Sequence, residues 1–373
     1  MSRQPKKKNN HFVPQSYLER FCSVSDRQVA LYNLKSGRTF ETAPIKTQCS
    51  RDYFYTKNPI FEDEFTKIEG TQKRLFAEII TTEIVSAPGS PDRSALSSCI
   101  MFQAGRTVTT VENADHLANQ FGKALLRNYL EKEGRDDLLA HLPELQISIP
   151  NAVMDSVGQH LAMYPLIDDL DCTLFINQTN EDFLTSDHPV ALCNNLPATL
   201  PLGANTGFSS RGLIILFPLS PRVLLFLSDR EVYKIAKSER GVAVVTKRRE
   251  AVELNLPQCF NAYENLYFAS SNRVQETLEA FRKRRDSLRR ARPTLKETPI
   301  LTYSGRKQVL LEMPPQARRL TLPKMVEIRH EVKKAKYVLG DAFVRDPMRT
   351  TVVRAELDRL QKLREQATKR TEE

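Results

Sequence analysis

The sequence lacks the short patterns that assign a common chemistry directly. It contains no phosphate-binding loop of the form Gly-x-x-x-x-Gly-Lys-Ser/Thr, no Gly-x-Ser-x-Gly nucleophile elbow and no Gly-x-Gly-x-x-Gly dinucleotide fingerprint. No nuclease signature of defined spacing is present either. A function therefore has to be inferred from separate polar residues and from the overall charge.

Cysteine pairs are missing as well. There is no Cys-x-x-Cys pair and no pair of histidines at zinc-binding spacing. The six cysteines are scattered along the chain: Cys22, Cys49, Cys99, Cys172, Cys193 and Cys259. This pattern argues against a structural zinc site and against a disulfide framework, and it fits a reducing cytoplasm.

Long apolar runs are also absent. No window approaches the ~20 uncharged apolar residues that a membrane span needs, and the longest apolar run, from Leu213 to Leu219, has the length of a strand. The basic N-terminus lacks the apolar segment of a signal peptide. We therefore expect a cytoplasmic protein with no membrane partner.

Positive charge is what the chain has in excess. Lys and Arg outnumber Asp and Glu by 55 − 45 = 10, and the pI near 9.3 indicates attraction to polyanions. The excess is concentrated in Lys6–Lys8, in Arg282–Arg285 with Arg289, Arg290 and Arg292, and in the tail from Arg329 onward. Such runs are commonly solvated arms, and basic residues also suit the end of a helix. We nevertheless predict that a basic helix over 273–292 contacts nucleic acid, with Arg284 and Arg285 as substrate-binding candidates.

The hydrophobic period changes along the chain and predicts an α+β fold. Spacing of three and four residues predicts helices over 62–84, 93–109, 113–132 and 150–164, whereas alternation with period two begins near Asp171. We expect a helical middle segment packed against a mostly antiparallel, β-rich second half. The Asn272-x-x-Gln275 pattern resembles a capping box at the start of the basic helix.

Composition divides the chain into three parts. We predict a disordered basic leader over 1–10, a single α+β core domain over 11–292, and a linker with charged C-terminal helices over 293–373. Residues 293–325 are rich in Pro, Thr and Lys and are typical of a linker, followed by short charged helices over 324–339 and 350–370. The last helix has a narrow apolar seam, which is suited to docking or to forming a homo-oligomer.

A compact polar and aromatic block, His11–Phe21, follows the basic leader. If Pro14 is the first helical residue, Tyr17 and Phe21 fall on one helix face. His11 would then lie just outside the helix N-terminus, where the dipole favours a neutral ring that can act as a base or bind a metal. The alternative is that His11 only caps a helix whose aromatic face is core.

This block and five later motifs occur in a recognisable order. The later motifs are Lys67-Ile68-Glu69, Phe102-Gln103-Ala104-Gly105-Arg106-Thr107, Thr185-Ser186-Asp187-His188-Pro189-Val190, Phe217-Pro218-Leu219-Ser220-Pro221 and Glu253-Leu254-Asn255. Together they resemble a bacterial and fungal family, domain-of-unknown-function family 4238, over roughly residues 11 to 271. Each motif is weak alone, and the ordered set is more specific. The resemblance implies membership without an established activity.

Two of the motifs place polar residues on predicted helices. Glu69 lies near the boundary of an apolar stripe, where most glutamates are solvated, and the resemblance favours a functional role. Gln103 and Arg106 lie one turn apart and can face the same space. An arginine there can simply pair with a carboxylate, or its planar fork can bind phosphate or carboxylate.

The Ser186–Pro189 motif follows a predicted strand. Pro189 restricts His188 to an extended conformation. Asp187 can ligate a divalent cation, orient a histidine or act as a general base, and His188 can be a ligand or an acid. The alternative is that Asp187 only caps the turn.

These residues form a coherent catalytic set if the fold brings them together. We predict His11, Glu69, Arg106 and Asp187 as catalytic residues, because two carboxylates with a histidine suit Mg²⁺ or Mn²⁺ and an arginine can stabilise phosphoryl charge. Glu69 and Asp187 would ligate the metal. The further substrate-binding candidates are Gln103, His188 and Asn255.

Two functions follow from this set. The first is a metal-assisted hydrolase acting on nucleic acid or a nucleotide, in a toxin-like or phage-defence setting. The second is a non-enzymatic module that binds nucleic acid or protein, in which the same polar residues form a buried structural network.

Overall fold

The computed structural model describes residues 9–23, 27–55, 59–196, 207–285, 293–301, 307–312, 319–334 and 344–372. The fold is α+β, as the sequence predicts, with helices in the middle and mostly antiparallel sheets in the second half. The lysines of the basic leader and the cations at 289, 290 and 292 lie outside the described residues.

The described residues of the first half form four strands and six α-helices. In chain order these are β1 Asn9–His11, α1 Gln15–Leu18, β2 Gln28–Asn33, β3 Arg38–Pro44, β4 Ser50–Asp52, α2 Pro59–Thr82, α3 Pro91–Gly105, α4 Val108–Lys132, α5 Asp136–Leu139 and α6 Ala152–Ala162.

The second half holds the main sheet and its covering helices. These elements are β5 Asp171–Asn177, β6 Thr185–Ser186, β7 Ala191–Asn194, β8 Leu213–Ser220, β9 Val223–Ser228, β10 Tyr233–Ile235, β11 Val242–Val245, α7 Arg248–Asn261, β12 Asn265–Phe268, α8 Gln275–Arg284, β13 Lys296–Leu301, β14 Lys307–Glu312, β15 Val326–Ile328, α9 His330–Lys334 and α10 Pro347–Glu372.

Two sheets organise the core. The larger has the order β11-β5-β9-β8-β7, with β11 parallel to β5 and the other pairs antiparallel. The smaller, β3-β2-β12-β6, joins the N-terminal hairpin to strands from the second half. It therefore brings Thr185 and Ser186 into one sheet with residues more than 150 positions earlier in the chain.

The predicted helix over 93–109 corresponds to α3, and only its last two residues, 108 and 109, belong to α4. α3 ends at Gly105, and Arg106 has φ −96° and ψ 2°, outside the helical region. A Cβ atom on Gly105 would lie 2.7 Å from the Cβ atom of His160, so this glycine allows α3 to approach α6 closely. The break leaves Arg106 and Thr107 at a junction between α3 and α4, where they can face two elements.

The N-terminal block also differs from its prediction. Pro14 lies just before α1, with φ −59° and ψ 142°, and α1 has only four residues. His11 belongs to β1, where it pairs with Ser50 of β4. The apolar side chains of the block are nevertheless core, since Tyr17 and Phe21 are buried. His11 is thus positioned by a strand, and the helix-dipole reason for a neutral ring is wrong.

Helix α7 was not predicted, because its residues carry no amphipathic period. Residues 251–259 are all buried, and the helix includes Pro257. The predicted capping box is wrong too, because Ser271–Arg273 form a 3₁₀ turn and α8 begins at Gln275 without a side-chain cap. Both differences arise where tertiary packing overrides local pattern.

The predicted linker contains regular structure. β13 and β14 pair as an antiparallel hairpin, and β15 pairs with β10. The side chains of Leu320, Val326 and Val332 are buried in the same core cluster as β8 and β9 residues. Among the described residues, no helix is both long and apolar enough to cross a membrane.

Candidate functional site

The junction between α3 and α4 holds a fully buried arginine. The side chain of Arg106 is 1% exposed, and its Nη2 atom lies 2.6 Å from Oε1 of Glu69, whose side chain is 31% exposed. Glu69 lies on α2, at the edge of the buried face. One partly exposed carboxylate is therefore held in place by a buried cation.

The remaining contacts of Arg106 fix its orientation. Its Nε donates to the Tyr55 hydroxyl at 2.6 Å, and that hydroxyl donates to the His11 carbonyl oxygen at 2.7 Å. Arg106 Nη2 also donates to the His11 carbonyl, and the guanidinium lies over the ring of Phe102. Burial lowers the pKa of Arg106, but Tyr55 and Glu69 more than offset this effect, so its charge is retained.

Gln103 holds the next peptide of the N-terminal block. Its Nε2 donates to the Phe12 carbonyl oxygen at 3.0 Å, one helical turn before the Arg106 contact. Two successive carbonyl oxygens, of His11 and Phe12, are thus bound by the C-terminal end of α3. Arg106 and Gln103 both face this block, as their spacing predicts.

The His11 ring points away from these buried contacts. Its Nε2 lies 3.1 Å from the side-chain amide nitrogen of Gln15 and 3.1 Å from the carbonyl oxygen of Lys46. His11 is half-buried, so its ring is closer to solvent than Arg106 is. The backbone of His11 thus contacts the buried network, whereas its imidazole contacts Gln15 and the Lys46 carbonyl oxygen.

Asp187 makes a turn-capping set of contacts. Oδ1 accepts from the Tyr263 amide at 2.7 Å, and Oδ2 accepts from the amides of Glu264 and Asn265 at 2.7 and 2.9 Å. Burial raises the pKa of Asp187 to about 6, and the three amides oppose that rise. These bonds tie the segment before Pro189 to the start of β12.

His188 connects this segment to the α3–α4 junction. Its Nδ1 lies 2.6 Å from the Thr107 hydroxyl, which is 3.0 Å from the Thr110 hydroxyl. Thr110 donates its proton to the Ala104 carbonyl at 2.7 Å, so the Thr107 proton is the one available for Thr110. Nδ1 of His188 is then the donor to Thr107.

Asn255 joins buried backbone. It accepts from the Leu184 amide at 3.1 Å and donates to the Asp182 carbonyl at 2.8 Å and the Thr277 hydroxyl at 3.1 Å. It therefore couples α7 to α8 and to the segment before β6. None of these three contacts is with a residue of the α3–α4 junction.

The two predicted arginines of the basic helix contact the protein itself. Arg284 makes two bonds to Glu253, at 2.7 and 2.9 Å, and Arg285 donates to the Leu34 carbonyl at 2.6 Å. Arg282 lies over the Tyr32 ring, with its guanidinium carbon 5.1 Å from the ring centroid. These cations dock α8 on the core.

The predicted site residues thus fall into two groups. The structure brings together Glu69, Gln103, Arg106 and the His11 backbone at the end of α3, and Thr107 extends this cluster to His188. Asp187, Asn255, Arg284 and Arg285 contact other elements.

The family model described as "Protein of unknown function (DUF4238)" matches residues 9–272. The chain belongs to this family. No curated protein and no solved structure matches it significantly. The matched span includes every cluster residue described above, from His11 to His188, and the family's description assigns no activity to them.

The predicted metal ligands do not form a shared set. In the part of the chain that the structure describes, no three His, Cys, Asp or Glu side chains are grouped as a metal ion requires. Glu69 is paired with Arg106, and both oxygens of Asp187 accept amide protons. The residues in this arrangement do not fit a Mg²⁺ or Mn²⁺ centre, and the metal stays a prediction.

Two residues of the cluster were not predicted as site residues. They are Tyr55 and Thr107. Tyr55 lies in an aromatic run that predicts a strand and gives no indication of a polar role for its hydroxyl, whereas Thr107 is the last residue of the motif that contains Arg106. The position of Thr107 inside that motif is the signal that points to it. Tyr55 has no comparable signal, because its contacts connect residues 44 and 51 positions apart.

Proposed function

We propose that this protein is a hydrolase that cleaves phosphodiester bonds in nucleic acid or nucleotides, with its reacting groups at the His11–Glu69 end of the cluster. A toxin-like or phage-defence role is the setting we propose for it. The basic net charge of +10 suits a polyanionic substrate.

The ion pair between Glu69 and Arg106 carries the proposal. The carboxylate is partly exposed, and the arginine that holds it at 2.6 Å is 1% exposed. Such an arrangement fixes a carboxylate at the protein surface before substrate arrives, as the positioning of an acid–base group requires. A surface ion pair between two exposed side chains would not achieve this.

The roles follow from exposure. His11 and Glu69 are the groups that substrate can reach, and they act as general acid and base. Arg106 is too deeply buried to touch substrate, so it is a positioning residue that acts through Glu69. Gln103 and Tyr55 position the His11 peptide, and no step is assigned to a metal ion.

The test uses the full chain with bis(p-nitrophenyl) phosphate and with labelled single- and double-stranded DNA and RNA. Each is assayed with Mg²⁺, with Mn²⁺ and with a chelator. His11→Ala leaves intact the carbonyl that Arg106 and Tyr55 bind, so we expect a loss of at least 100-fold in activity with little change in Tm. Glu69→Gln should reduce activity similarly.

Matched controls lie on neighbouring helices. His116→Ala on α4 and Glu64→Gln on α2 remove a half-buried histidine and an exposed glutamate, and they should leave activity unchanged. Absence of cleavage under every condition, or equal losses in the controls, would refute the hydrolase.

A non-enzymatic binding module is the second candidate. It is supported by the contacts of Asp187 and Asn255, which are mostly to backbone groups, as in a polar network that specifies a fold. Charge reversal of the exposed Lys283, which leaves the docking contacts of Arg282, Arg284 and Arg285 intact, separates the candidates. The binding module predicts loss of function in Lys283→Glu, whereas the hydrolase predicts only weaker affinity and a shallower salt dependence of binding.

A further inference from the structure

Two arginines from separate turns converge on one buried carboxylate. The Nη2 atoms of Arg222 and Arg273 lie 2.9 and 3.0 Å from the same atom, Oδ1 of Asp182, so they are within about 6 Å of each other. The Asp182 side chain is 7% exposed, whereas the two arginine side chains are 44% and 35% exposed. The guanidinium groups therefore lie on the solvent side of the carboxylate.

Backbone contacts hold both arginines in place. Arg222 lies in the turn between β8 and β9, and Arg273 ends the 3₁₀ turn before α8. The Asn177 amide donates to the Arg222 carbonyl oxygen at 2.8 Å, and the Asp182 amide donates to the Arg273 carbonyl oxygen at 2.6 Å. Nη1 of Arg222 also donates to the Thr179 carbonyl oxygen at 2.7 Å. Both arginines are thus ordered before a ligand arrives, which lowers the entropy cost of binding.

The pair has one positive charge that Asp182 does not balance. Among the described residues, neither arginine pairs with a second carboxylate. The neighbouring carboxylate of Glu181 is bonded to Arg248 and to the Thr277 amide instead. Arg248 is also paired with Glu276, at 2.8 Å, so two carboxylates balance its single charge. The excess charge on this loop therefore lies at the Arg222–Arg273 pair.

The pair also has donors to spare. Nε of Arg222 and Nη1 of Arg273 have no hydrogen-bond acceptor among the described residues. Guanidinium groups bind phosphate through two parallel hydrogen bonds. A phosphate monoester has a charge of about −1.5 to −2 at pH 7 and three acceptor oxygens, so it can accept from both arginines at once and compete with the single charge of Asp182.

We propose that Arg222 and Arg273 bind a phosphate monoester, either of a nucleotide or of a phosphorylated nucleic-acid end. The site shares no residue with the cluster at the end of α3. It goes beyond the proposed hydrolase and does not depend on it. Asp182 is a positioning residue in this site, because its Oδ1 atom holds the two guanidinium groups side by side.

The test is calorimetric titration of the full chain with inorganic phosphate, with ionic strength kept constant by sodium chloride. We expect wild type to bind phosphate and Arg273→Gln to raise the dissociation constant at least about tenfold, because charge-assisted hydrogen bonds are lost. Arg273→Lys keeps the charge without the planar fork, so it should give a smaller loss. No phosphate binding by wild type, or no loss in either variant, would overturn the proposal.

Arg248→Gln is the matched control. Arg248 is 43% exposed and contacts a buried carboxylate of the same loop, but its charge is already balanced. Its replacement should leave the dissociation constant unchanged, and an equal loss would show that positive charge in general attracts phosphate. Circular dichroism checks that each variant is folded. If Arg273→Gln unfolds, Arg222→Lys and Arg273→Lys give the comparison, because both keep a positive charge beside Asp182.

Two further titrations identify the source of the phosphate. Adenosine monophosphate is compared with a single-stranded oligonucleotide that has a 5′-phosphate. Tighter binding of the mononucleotide indicates a nucleotide ligand, and tighter binding of the oligonucleotide indicates a nucleic-acid end. The same oligonucleotide without its 5′-phosphate should bind more weakly and should be insensitive to Arg273→Gln. Equal binding with and without the 5′-phosphate would contradict a monoester site.

Discussion

At the scale of single residues, Asp187 shows how a motif aspartate can be fully occupied by structure. Its two oxygens accept three amide protons from residues 263–265, and the segment they cap leads into β12. The sequence offered both a capping role and a catalytic role for this residue. The contacts favour the cap, because a carboxylate surrounded by amides has little capacity left for a metal or a proton relay.

Asp187→Asn is predicted to destabilise the protein by about 2 kcal/mol at neutral pH, measured by urea unfolding. The new amide group has to face at least one backbone N–H, since each carboxylate oxygen now accepts from one. Asp171→Asn is the control, because it removes only a partly exposed pair with Lys237 and should cost less than about 1 kcal/mol. Equal effects would contradict the capping role.

The pKa of Asp187 adds a dependence on pH. Burial raises it from its ordinary 3.8 to about 6, so the folded protein binds this proton more tightly than the unfolded chain does. The extra stabilisation from this tighter proton binding is therefore fully present below pH 3.8 and is lost as pH rises through about 6, which leaves the contribution of the capping hydrogen bonds, about 2 kcal/mol, at neutral pH. The difference in unfolding free energy between wild type and Asp187→Asn, measured from pH 4 to 7, should follow that curve.

Contacts of single residues could be predicted where the residues belong to one short sequence motif. Gln103 and Arg106 face the same peptide segment, as their spacing implies. The pairing of Arg106 with Glu69 links residues 37 positions apart. The sequence allowed Arg106 a carboxylate partner without identifying which one. Tyr55 could not be found from sequence, because its role depends on where β4 and α3 meet.

At the scale of elements, helices with one buried face were predictable and the helix buried all round was not. The predicted helix over 62–84 corresponds to α2, and its apolar stripe gives the signal. In α7, buried polar residues such as Asn255 and Gln258 interrupt the apolar pattern. Its hydrogen bonds to three neighbouring segments, which no local pattern encodes, account for those residues.

Helix α8 shows that the partner of a charged residue could not be predicted from local sequence either. Its basic end was predicted to face nucleic acid, yet Arg284 pairs with the buried Glu253. Arg284→Glu is therefore predicted to cost about 2 kcal/mol of stability, because it leaves Glu253 beside a like charge. The neighbouring Lys283 is exposed, and Lys283→Glu should change stability by less than about 0.5 kcal/mol.

Urea unfolding of both variants, together with binding to a single-stranded oligonucleotide at two salt concentrations, separates the roles of the two cations. A nucleic-acid contact predicts weaker binding from Lys283→Glu without a change in stability. Equal stability of the two variants would show that the Arg284–Glu253 pair does not anchor α8.

At the scale of the whole molecule, the smaller sheet explains why the motifs are spread along the chain. It places β2 and β12 side by side, with β6 next to β12, so that segments near residues 30, 185 and 266 become neighbours. The order of these strands could not be predicted, because pairing over such separations depends on packing of the complete core.

The segment after the family-matched region also contributes to that core. Val326 and Val332 are 4% and 6% exposed in a cluster with β8 and β9 residues, and β15 pairs with β10. The combined change Val326→Ala with Val332→Ala is predicted to lower the free energy of unfolding by about 3 kcal/mol, because burying a valine stabilises by about 1.5 kcal/mol or more. The measurement is urea unfolding of the full chain.

Met348→Ser with Val352→Ser is the matched control, because these side chains on α10 are 81% and 63% exposed. It should leave stability nearly unchanged and, if α10 mediates self-association, lower the oligomeric state in solution.

A chain shortened to residues 1–292 should unfold at a lower urea concentration than the full chain, because the core cluster that contains β8 and β9 residues then loses Leu320, Val326 and Val332 together. Equal stability of the shortened and full chains would mean that the part after residue 292 is only appended to the core.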